Sequence, residues 1–69
     1  MKKMTDKEKE LARLLVNNKD FERDEFIAIG LLCNSEIKAQ AMIDFMMKNP
    51  NADYELLINK ALDIDKNYG

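Results

Sequence analysis

The apolar residues of the chain fall into four groups, each preceded by polar residues of the kind that start helices. In the first group Leu11, Leu14 and Leu15 recur at helical spacing, with Met4 one heptad before Leu11. This narrow stripe fades at Asn17-Asn18-Lys19. Ahead of it, Thr5-Asp6-Lys7-Glu8 has the form of a capping box, in which a hydroxyl and a carboxylate satisfy amide groups left unpaired by the first turn. A helix over about 6–17 is expected. The second group, Phe26 to Cys33, is apolar without interruption and shows no amphipathic period, so pattern alone allows a buried strand or a helix covered on all sides. No other segment reads as a strand, and a lone strand would leave its backbone groups unpaired. The segment is therefore read as helix over about 21–33, with Asp20 as cap and Glu22, Asp24 and Glu25 against the positive end of its dipole. Gly30 is taken as a point where a neighbouring helix approaches closely.

Asn34-Ser35-Glu36 closes that run and caps a third helix over about 35–48, which ends where Pro50 disfavours a helical residue before it. At 100° per residue Ile37, Gln40, Asp44 and Lys48 share one polar strip. Ala39, Ala41, Met42, Ile43, Phe45, Met46 and Met47 cover most of the remaining circumference, interrupted only by Lys38. Such a helix needs neighbours on more than one side. A fourth helix, over about 50–65, is capped by Asn49 or Asn51, with Asp53 and Glu55 in its first turn and Lys66 near its end, as its dipole favours. Tyr54, Leu57, Ile58, Ala61 and Ile64 form its inward stripe. Glu55, Asn59 and Asp63 face water, and Leu56 falls on that polar side.

Sixty-nine residues hold one hydrophobic core, so residues 1–69 are read as one domain. Two glycines and one proline are too few for a sheet of short strands joined by tight turns. The fold class is all-α, a compact bundle of four short helices, with helices two and three central and helices one and four covering them. Ile29, Leu32, Ile43 and Met46 lie near the middle of the apolar run and arc and are expected inside.

Apolar residues at 46%, charged residues at 35% and a net charge of -2 describe a folded soluble protein rather than a disordered tail. The eight-residue apolar run is far short of the roughly 20 residues that span a bilayer. Met1-Lys2-Lys3 is basic, but charged residues occupy 5–10, where a signal peptide is apolar. The expected compartment is the cytoplasm, with Cys33 a reduced thiol serving as a small hydrophobe. Nine lysines to two arginines, with seven asparagines, suggest AT-rich coding DNA, as in a low-GC bacterium or its phage.

Candidate chemistry is sparse. With no histidine and one cysteine, the chain lacks the usual neutral-pH acid–base group and any disulfide or zinc cluster. Asp63, Asp65 and Asn67 alternate as in the opening of an EF-hand loop. Tyr68, however, stands where that loop needs glycine, and no bidentate glutamate follows, so a polar helix end is the simpler reading. The acids Asp24, Glu25, Asp63 and Asp65 lie in charged stretches where carboxylates are ordinarily just solvated, and Cys33 has no base to activate it. The expectation is therefore no enzyme, no metal, no cofactor and no small-molecule substrate. Helices two and three with the turn between them resemble a helix-turn-helix in outline. The second of these helices nevertheless offers DNA only Lys38, Gln40 and Lys48, against the repelling Glu36 and Asp44. Nucleic acid is the alternative rather than the leading partner. The apolar arc of helix three reads first as core. Phe45 and Met47 at its edges, with Leu56, are the candidate contacts to a protein partner, either another protein or a second copy in a homodimer. The expected role is that of a non-catalytic regulator, inhibitor or accessory factor.

Overall fold

The computed structural model describes residues 4–17 and 21–68, which form four helices and no strand. Helix α1 (Asp6–Val16) begins with the expected reciprocal cap: the Glu8 amide donates to Thr5 Oγ1 at 3.2 Å and the Thr5 amide to Glu8 Oε1 at 3.1 Å. Helix α2 (Arg23–Leu32) starts at Glu22, whose amide donates to the Glu25 carboxylate at 2.8 Å. Asp20, expected as its cap, lies outside the described residues. Helix α3 (Glu36–Lys48) is capped by Ser35, whose hydroxyl accepts from the Lys38 amide.

Helix α4 (Tyr54–Tyr68) departs most from expectation, starting four residues later and running three further than the sequence pattern implied. Pro50-Asn51 forms a turn closed by the Ala52 amide donating to the Asn49 carbonyl. The cap is Asp53, whose carboxylate accepts from the Leu56 amide at 2.9 Å. Asp53 therefore precedes the helix instead of lying in its first turn. Proline tolerates a turn position as well as it tolerates the first helical position, and only the Asp53 carboxylate has amides within reach.

Helices two and three are not a central pair. Helix α1 packs on α2 and α3, and α4 packs on the same two, so the order around the bundle is α1–α2–α4–α3 and every helix has two close neighbours. The core follows from this ring. Leu11 and Leu15 from α1, Ile29 from α2, Met42 and Ile43 from α3, and Leu57, Ala61 and Ile64 from α4 are all buried, with Cys33 and Ala39. Burying each large aliphatic side chain contributes about 1.5–3 kcal/mol. Leu32 and Met46, expected inside, are half-buried, because a helix with two neighbours leaves the edges of a wide apolar arc at the surface. The stripe of α4 is as expected, with Tyr54 and Ile58 at its half-buried margins. A T-shaped contact between Phe21 and Tyr54, centroids 6.0 Å apart, joins the start of α2 to the start of α4. Among the described residues no helix is long and apolar enough to cross a membrane.

Two residues of α2 and α3 behave against expectation. A Cβ built on Gly30 would meet nothing within 4 Å, so Gly30 faces open space and no neighbouring helix approaches it. Lys38 is buried at 8% exposure: its ammonium lies 2.7 Å from Asp65 on α4 and 3.3 Å from the Asn34 side-chain oxygen. The break that Lys38 makes in the apolar arc is thus an ion pair tying the α2–α3 turn and α3 to the far end of α4.

Candidate interaction groove

Ten residues long, α2 has neighbours on two sides and apolar side chains on all of them. The side left over borders α1, and there the two helices enclose an apolar groove of about 300 Å³. Its floor is Leu11 and Leu15, both 1% exposed and part of the core. Met4 at one end and Ile27 and Leu31 along α2 rise around it at 48%, 40% and 69% exposure. Between these walls the backbone at Gly30 is bare, and the groove owes its width there to the missing side chain. The one carboxylate at its edge, Glu8, is occupied by the α1 cap and itself buried, so the lining presents no free acid.

Arg23, Ile27, Gly30 and Leu31 lie at i, i+4, i+7 and i+8 and share this face of α2. Ile27, Gly30 and Leu31 belong to the Phe26–Cys33 run, which has no polar side, so some of its apolar residues must meet solvent in so small a bundle.

Of the three contacts singled out from the sequence, Phe45 and Leu56 line different hollows. Phe45 is half-buried beneath the Lys60 ammonium, 5.4 Å from its ring centroid, in a shallow pocket with Asp44, Lys48 and Tyr68 at its rim. Met47, two residues on and so on the opposite side of α3, is 72% exposed. Leu56 is 45% exposed beside the Pro50-Asn51 turn. Met47 and Leu56 are exposed one by one on different helices, and single exposed apolar residues are ordinary.

No chemistry accompanies the groove. Among the described residues no three Cys, Asp or Glu side chains converge on a point, and Asp63, Asp65 and Asn67 stand on a continuous helix, where alternate positions point about 200° apart. Burial pushes the Cys33 thiol up to about 11, with the Lys38 ammonium opposing and the Asp65 carboxylate reinforcing the rise. A thiol so placed is protonated at neutral pH, the opposite of what a nucleophile needs. Compared with known proteins, the chain matches no family model and has no significant relative among curated proteins or solved structures.

Proposed function

We propose that this is a small non-catalytic cytoplasmic protein that acts through protein–protein contact, as a regulator, inhibitor or accessory factor, using the face where α1 meets α2. The observation that carries the reading is the groove itself: Met4, Ile27 and Leu31 stand exposed around a floor of core leucines on one continuous surface. Contiguous apolar surface of this kind marks interaction sites on soluble proteins, whereas scattered apolar residues do not. The buried, uncharged thiol suits a reducing compartment.

A nucleic-acid-binding role draws less support. Lys38, one of the two cations that α3 would offer to DNA, lies against Asp65, which leaves Lys48 one turn from the exposed Asp44, with a second exposed acid, Glu36, at the other end of the helix. A photo-crosslinking amino acid placed at position 31, and separately at position 47, in the cell that encodes the protein tests the reading. Protein adducts at 31 and none at 47 are expected. Adducts only at 47 would overturn the choice of surface, and adducts to DNA or RNA would favour the alternative.

A further inference from the structure

Resting on that reading, we infer that the occupant of the α1/α2 groove is a second copy of this chain, related by a two-fold axis that crosses α2 between Ile27 and Leu31. A closed symmetric contact uses one patch twice, so the patch must carry both a projection and the hollow that receives it. This face has both. Leu31 is the most exposed apolar side chain on it, and beside Leu31 lies the hollow over Gly30, floored by Leu11 and Leu15. With two copies of α2 antiparallel and Ile27 of one level with Leu31 of the other, each Leu31 leans toward its own N-terminus, as helical side chains do, and so into the groove between the opposing Ile27 and Gly30. Gly30 lets the backbones approach, the use for glycine that the single chain lacks.

Charge fits the same arrangement. Arg23 stands at the first position of α2, where its own helix dipole disfavours a cation, and it has no ion-pair partner among the described residues. In this alignment it lies past the last residue of the opposing α2, at the turn that leads into Glu36. That exposed acid, at the first position of α3, also lacks an ion pair among the described residues. The two-fold makes two Arg23–Glu36 pairs, one at each end of the contact. Size sets the strength. Helices of 11 and 10 residues, about 16 Å long side by side, present a face on the order of 300–400 Å². A standard interface takes about 800 Å² from each partner, so this dimer belongs to the weak class that forms at micromolar concentration and above.

Sedimentation equilibrium of the full chain from about 10 µM to 1 mM reads the outcome. The mean mass should climb from one chain towards two. Leu31→Glu, and independently Ile27→Lys, should weaken association by roughly tenfold or more with helicity unchanged, since both side chains are exposed in the single chain. Arg23→Glu should weaken it, and Arg23→Glu combined with Glu36→Arg should restore it. Met47→Glu and Leu56→Glu should leave it unaltered. A single-chain mass at every concentration, a dimer indifferent to Leu31→Glu, one broken by Met47→Glu, or a double reversal that fails to restore it would each overturn the inference. A single-chain mass together with adducts to a different protein at position 31 would overturn the second copy and keep the proposed function. No adduct at that position would remove both.

Discussion

Lys38 and Cys33 show how far one side chain's surroundings decide its behaviour. The Lys38 ammonium is almost out of water, held by Asp65 and Asn34, while Asp65 itself remains half-solvated at 44% exposure. Solvent screening keeps the pair's net worth small, yet the two partners are not equivalent. Removing the acid strands a cation in a nearly dry site, whereas removing the cation leaves an acid that water can reach. Asp65→Ala should therefore cost about 1–3 kcal/mol in urea unfolding, and Lys38→Met, which keeps the volume, less than about 1 kcal/mol. Equal losses would show that Lys38 reaches solvent. For Cys33 the folded state favours the neutral thiol. The stability this contributes is complete below pH 9.0 and is lost as pH rises from 9.0 through about 11. At pH 8 the folded chain should react with a thiol reagent at least about 100-fold more slowly than the chain in urea, because a thiol that ionises near 11 instead of 9.0 presents that much less thiolate. Cys33 was legible in the sequence as a buried hydrophobe. The Lys38 pair was not, because its partner is 27 residues away and only the crossing of α3 and α4 brings it near.

Helix ends separate local information from tertiary information. Thr5 with Glu8 and Ser35 with the Lys38 amide cap their helices as their spacing indicated, since the whole interaction lies within four residues. The start of α4 was ambiguous because Asn49, Asn51 and Asp53 are all acceptable caps, and choosing among them takes the path of the chain through the Pro50 turn. Substitution distinguishes them. Asp53→Ala should cost about 1 kcal/mol, whereas Asn51→Ala should cost no more than a few tenths, both read by thermal unfolding of the far-ultraviolet circular dichroism signal. The reverse ranking would move the cap to Asn51 and the helix start to Ala52.

At the scale of the molecule, the helical class and most of the core were readable, Ile29 and Ile43 among them, because capping and 3.6-residue periodicity are properties of the chain. Which helices touch was not readable, and the exposed face of α2 followed from that. Ile43, 5% exposed in the ring of four, should lose about 2–5 kcal/mol on truncation to alanine, enough in so small a core to leave the chain largely unfolded at room temperature. A folded Ile43→Ala variant melting where the wild type does would mean that the packing is wrong. The ring has a kinetic consequence as well. Since α1 meets α2 and α3 meets α4, the chain divides at Asn34 into two helical hairpins, each closed by a short connection, and two further seams join hairpin to hairpin. Little loop entropy opposes either closure, so refolding should finish in microseconds to milliseconds as a single exponential. If the search for the second seam sets the rate, lengthening the three-residue link between α2 and α3 with glycines should slow refolding while leaving the unfolding rate nearly unchanged.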